Sequence, residues 1–108
     1  MVSINLGSIK LNDNESRGFS TKEYSLFVIQ KQGELYVYRN SCPHLGVELN
    51  WVENQFLDPD CELIVCSTHN ALFLVESGLC VAGPCNGASL DAIAHEIVND
   101  ELIVHLPD

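Results

Sequence analysis

Two Cys/His pairs constrain this chain more than any other feature. Cys42-x-His44 lies in SCPHLG, Ser41 to Gly46, and Cys66-x-x-His69 lies in VCSTHN, Val65 to Asn70. Their internal spacings differ, and residues 45–65 separate them. Thiolates combined with imidazoles suit zinc, or iron in an iron–sulfur centre. A fold that uses all four residues must bring two separate turns to face one small space. Zinc would take the four in a single tetrahedron, whereas an iron–sulfur centre would place two thiolates on one iron and two imidazoles on the other. The bland alternative is four unconnected residues; the turn formers around both pairs weigh against it.

The remaining pattern says how those turns could be presented. SLFVIQ (Ser25 to Gln30) and ELYVYR (Glu34 to Arg39) are rich in β-branched and aromatic residues, with Gly33 in the turn between them. ELIVC (Glu62 to Cys66) and ALFLVE (Ala71 to Glu76) form a second pair, joined by STHN. AIAHEIV and ELIVHL form a terminal hairpin around Asn99-Asp100. Only STKEYS (Ser20 to Ser25) hints at a helical turn. Short strands punctuated by Gly, Pro, Asn and Asp predict an all-β fold, a small sandwich or barrel. Cys42 and His44 then follow one strand, while Cys66 ends another and His69 sits in the turn after it. Both pairs stand at the ends of hairpins, a placement that suits a shared metal site.

Length and composition fit one domain over residues 1–108 with a real core, since 46% of the residues are hydrophobic. Acidic residues outnumber basic ones 15 to 5, for a formal charge of -10. That balance argues against nucleic acid, whose phosphates need Lys and Arg. It suits docking on a basic patch of another protein, although acidity that only keeps the chain soluble is an equal reading. No run approaches a membrane span, and MVSINLGSIK lacks a signal pattern, so a cytoplasmic protein is expected. Five cysteines are an odd number, and a cytoplasmic chain keeps its thiols reduced; metal binding is favoured over a disulfide framework.

With CPHLG, CSTH and a later Gly83-Pro84 in VAGPCNG, the chain resembles the Rieske family from about Tyr36 to Leu90. The resemblance implies a small Rieske-like β-sandwich or barrel whose cluster-binding subdomain is made of two hairpin loops, within about residues 40–86. It implies one [2Fe–2S] cluster, with Cys42 and Cys66 on the inner iron and His44 and His69 on the outer. Gly83-Pro84 matches the third loop that covers the cluster in this family. Replacing two thiolates by neutral imidazoles removes negative charge beside the irons and raises the potential. The respiratory branch adds a disulfide and Ser and Tyr hydroxyls; here Val47 and Thr68 stand at the disulfide positions and Ala71 and Phe73 at the hydroxyl positions. The chain therefore resembles a soluble, low-potential Rieske ferredoxin. Two departures stand out: Asn70 follows the second histidine where the family has Gly, and Asn50-Trp51 replace a glycine. Asn tolerates positive φ. Trp51 is expected in the core, with a rim contact for a partner as its alternative.

The function implied is one-electron transport from a reductase to a terminal oxidoreductase, such as a ring-hydroxylating dioxygenase, by a monomeric carrier that is not itself an enzyme. Alternatives are a small Rieske subunit of a nitrite-reductase-like complex and, from another class, a zinc-stabilised binding module. Cys61, Cys80 and Cys85 are expected to pack structurally, and His95 and His105 to be half-buried strand histidines.

Overall fold

The computed structural model describes residues 2–20, 24–41, 49, 54–58, 60, 62–66, 71–83 and 87–106. The strands among them are β1 (Val2–Ser8), β2 (Glu15–Ser20), β3 (Ser25–Lys31), β4 (Glu34–Arg39), β5 (Leu63–Cys66), β6 (Ala71–Leu74), β7 (Cys80–Ala82), β8 (Ala94–Val98) and β9 (Glu101–Leu106). They form three antiparallel sheets, β1-β9-β8, β2-β3-β4 and β5-β6-β7. The all-β expectation is met, with two further strands at the N-terminal end and a short one after β6. The expected hint of a helical turn in STKEYS centres on residues 21–23, outside the described residues.

β3 explains the layering. Leu26, Phe27, Val28 and Ile29 are all buried, a run that fits a strand covered on both faces. Successive side chains point to opposite faces. Leu26 and Val28 therefore join Val37, Leu102, Val104, Leu106 and Ile93 in one core, between the middle sheet and β1-β9-β8. Phe27 and Ile29 join Tyr38, Ile64, Cys66, Ala71, Phe73 and Cys80 in the other, against β5-β6-β7. The second core contains the stacked rings of Phe27 and Phe56, with centroids 4.4 Å apart.

Two hairpins have the tight geometry that matches strand twist. Gln32 and Gly33 turn with φ of 52° and 81°, and Asn99 and Asp100 with 53° and 64°. The segment 54–58 then fastens the third sheet to the second. Asn54 accepts from the Gly18 amide through Oδ1 and from the Ser16 hydroxyl through its carbonyl. On its other side, the Val65 amide donates to the Phe56 carbonyl and Leu57 bridges Ile64. Gly18 makes this possible, because a Cβ there would lie 3.1 Å from the Phe56 ring.

Candidate metal centre

The candidate centre is built around the connected end of the β5-β6 hairpin. The ladder runs Leu63↔Leu74, Ile64↔Phe73, Val65↔Leu72 and Cys66↔Ala71, so the cysteine is the last residue before the connection that carries His69. Alternation turns Ile64 and Cys66 inward on β5, and Ala71 and Phe73 inward on β6; all four are fully buried. A thiol placed inward at a strand end is held in register by the ladder.

The other segments close on the same point. Asn40 follows β4 and is the one buried amide or charged side chain among the described residues. Its backbone amide donates to the Ser25 carbonyl at 2.8 Å, and its Oδ1 accepts from the Leu49 amide at 2.7 Å. Leu49 is fully buried and belongs to the core that holds Cys66 and Ala71. The two ends of the segment carrying Cys42 and His44 are thus joined, and one of them is anchored in the core that also holds Cys66. Gly83 arrives from β7 with φ of 100°, its backbone against Ala71.

Of the four expected ligands, Cys66 is described and ends β5, as the strand pattern predicts; Cys42, His44 and His69 lie outside the described residues. So do Pro84, Asn70, Trp51, Val47, Thr68, Cys61 and Cys85. With Cys66 alone of the four, no group of three or more His, Cys, Asp or Glu able to hold a metal occurs among the described residues. Cys80 is packed in the core, its thiol donating to the Ala82 carbonyl at 3.2 Å, in keeping with a structural role. His105 is partly buried between Ser3 Oγ at 2.8 Å and Glu96 at 3.3 Å. His95 differs from expectation: it is exposed, because β8 is an edge strand with every residue open to solvent. Its Nδ1 lies 3.0 Å from the Ile93 carbonyl.

In the same core, the Tyr38 hydroxyl donates to the Val75 carbonyl, just beyond the end of β6 that lies away from Cys66. Burial, helped by Tyr36 and Glu76, pushes its pKa up to about 12. The phenol is therefore a neutral hydrogen-bond donor across the working pH range. Sequence reading missed Asn40, Leu49 and Gly18 as parts of the frame; Asn40 directly before SCPH was the one available signal.

A family model for the Rieske [2Fe-2S] domain matches residues 4–100. The chain belongs to this family.

Membership implies a [2Fe–2S] cluster, and the zinc tetrahedron gives way to it. The described frame fits such a group: a soft donor, Cys66, stands buried at a turn, and a glycine covers the start of the facing strand where any Cβ would collide. When bound, a cluster of this ligation supplies a one-electron couple.

Solved structures support the fold of this Rieske domain. The ferredoxin of carbazole 1,9a-dioxygenase from Nocardioides aromaticivorans IC177 superposes with a TM-score of 0.70 at 19% identity, covering 93% of this chain and 95% of that one. A complex of reduced oxygenase and oxidized ferredoxin in carbazole 1,9a-dioxygenase matches with 0.73 at 18% identity, covering 94% and 91%. The reduced complex between oxygenase and ferredoxin in carbazole 1,9a-dioxygenase matches with 0.78 at 21% identity, covering 98% of this chain and 28% of that one. The comparison with curated proteins gave no match. No helix among the described residues is long and apolar enough to cross a membrane.

Proposed function

We propose that this chain is a Rieske ferredoxin, a one-electron carrier that takes its electron from a reductase and gives it to a terminal oxygenase. The observation that carries this reading is the Rieske match over residues 4–100, supported by a buried cysteine, Cys66, at the end of β5. Cys42 and Cys66 hold the inner iron, and His44 and His69 the outer. The residues form one domain, acting as a monomer in the cytoplasm. Likeness to a dioxygenase ferredoxin over nearly the whole of that chain supports the carrier role, and oxygenase–ferredoxin complexes among the neighbours support an oxygenase as acceptor.

The electron path follows from the ligands. Cys66 is fully buried, in a core that also holds Ile64, Phe73 and Leu49, which supports a shielded cysteine side. Exchange then belongs to the histidine side, and the charge of -10 selects partners that present Lys and Arg.

The test is spectroscopic. The purified protein should be red-brown, hold iron and acid-labile sulfide in equal amounts, and give a Rieske EPR signal when reduced. His44→Ala and His69→Ala should each abolish that signal, while Cys61→Ser, Cys80→Ser and Cys85→Ser should keep it. A colourless zinc protein, or a native spectrum in both histidine variants, would overturn the assignment. Obligate copurification with a reductase would favour a permanent subunit over a shuttle.

A further inference from the structure

We propose that Asn40 is a positioning residue: by holding the Leu49 amide, its side-chain oxygen sets the span of the segment that carries Cys42 and His44. This rests on the Rieske ligand assignment above and adds a residue to it. Three observations carry the inference. Asn40 is the one buried amide or charged side chain among the described residues, standing just past β4. It acts at both ends of the ligand segment, through its own amide to Ser25 and through Oδ1 to Leu49 at 2.7 Å. Leu49, in turn, is sunk in the core that contains Cys66 and Ala71. The bond therefore links the strand that precedes the first ligand pair to the core that contains Cys66.

A cluster shared by two segments needs a fixed separation between them. The β5-β6 ladder fixes Cys66. On the other side, the ends of the segment are fixed by Asn40. Groups that orient ligands without touching the metal commonly change metal affinity by about 10–100-fold when removed.

The experiment compares holoprotein variants of similar side-chain shape. Asn40→Leu removes the acceptor and keeps the bulk; Asn40→Asp keeps an oxygen facing the Leu49 amide. Cluster loss to a chelator is followed by visible bleaching well below the unfolding temperature, with the EPR linewidths of the reduced protein recorded in parallel. Asn40→Leu should bleach about 10–100-fold faster with broadened EPR features, and Asn40→Asp should stay near the wild-type rate. Wild-type bleaching and linewidths in Asn40→Leu, or equal acceleration in both variants, would overturn the proposal. If Asn40→Leu does not fold, hydrogen exchange on the wild-type holoprotein decides: a protected Leu49 amide supports the bond, and one exchanging as fast as an exposed loop overturns it. A wild-type protein without a Rieske spectrum would instead remove the ligand assignment beneath it.

Discussion

Gly83 lies so close to Ala71 that a Cβ on it would stand 2.7 Å from the Ala71 Cα and 3.0 Å from its Cβ. The glycine also has φ of 100°, a conformation L side chains rarely adopt. Both facts predict that Gly83→Ala is severe. The backbone strain alone is worth about 1–3 kcal/mol. The collision adds to it and pushes on Ala71, the ladder partner of Cys66. Urea unfolding should show the loss of stability, and iron analysis a lower cluster content. Gly87 is the control: it shares a positive φ of 96° but has nothing among the described residues within 4 Å of an added Cβ, so Gly87→Ala should lose stability through strain alone and keep its cluster.

Tyr38 makes a prediction about alkaline pH. The buried phenol keeps its proton to about pH 12, against 10.0 for an unperturbed tyrosine. Below pH 10 both folded and unfolded chains are protonated, and the contribution is whole. Between 10 and 12 the unfolded chain ionises first, so stability falls as pH rises. A shift of this size corresponds to roughly 3 kcal/mol. Tyr38→Phe leaves the Val75 carbonyl without the Tyr38 donor and should lower stability by about 1–3 kcal/mol near neutrality. The gap between the two proteins should narrow above pH 10. Urea unfolding at pH 8, 10 and 11 measures it; a constant gap would mean that the phenol titrates normally.

Those two sites also mark what the sequence made legible. The β3, β4 and β9 strands were readable because each concentrates β-branched and aromatic residues between turn formers, and Gly33 and Asn99-Asp100 fall where positive φ is needed. β2 was not, because Glu15, Ser16, Arg17 and Gly18 carry no apolar alternation; it exists through pairing with β3 and through Asn54. β1 was hidden by Gly7, which reads as a break but is a bulge with φ of 83° whose amide is held by the Asn5 side chain. β7 spans only Cys80–Ala82 and owes its place to the β6 edge. The place of Cys66 at the end of β5 was legible from the run ELIVC. The Asn40–Leu49 bond was not, since a side-chain to backbone bond across residues 41–48 leaves no periodic trace.

Charge predicts how partners are met. With 15 acidic and 5 basic residues, the protein should lose speed with a basic reductase as salt rises. Screening shortens the reach of its field to roughly 8 Å at physiological ionic strength. Stopped-flow reduction across a salt series should show the rate falling, with little change in the slow, bound-state step. A rate indifferent to salt would show that the acidity serves solubility.

The last prediction concerns the potential. Ala71 and Phe73 share the inward face of β6, paired with Cys66 and Ile64. In the respiratory branch of the family, these positions carry hydroxyls, which favour the reduced and more negative cluster. Ala71→Ser and Phe73→Tyr restore them. A hydrogen bond to a charged group is worth roughly 1.5–3 kcal/mol, but only the difference between redox states shifts the midpoint. Since about 1.4 kcal/mol corresponds to 59 mV in a one-electron couple, each substitution should raise the midpoint by some tens of millivolts. The two are not equivalent in risk. Ala71 abuts the Gly83 backbone, and a serine oxygen is small. Phe73 is fully buried in the core with Ile64, so a tyrosine hydroxyl that finds no acceptor there would lower stability by about 1–3 kcal/mol. Protein-film voltammetry on wild type, both single variants and the double variant, beside urea unfolding of each, separates the outcomes. A raised midpoint in Ala71→Ser supports the hydrogen-bond account of a low potential. An unchanged or lower midpoint in the double variant, with the cluster intact, would show that residues 71 and 73 do not face the cluster sulfurs as the respiratory hydroxyls do.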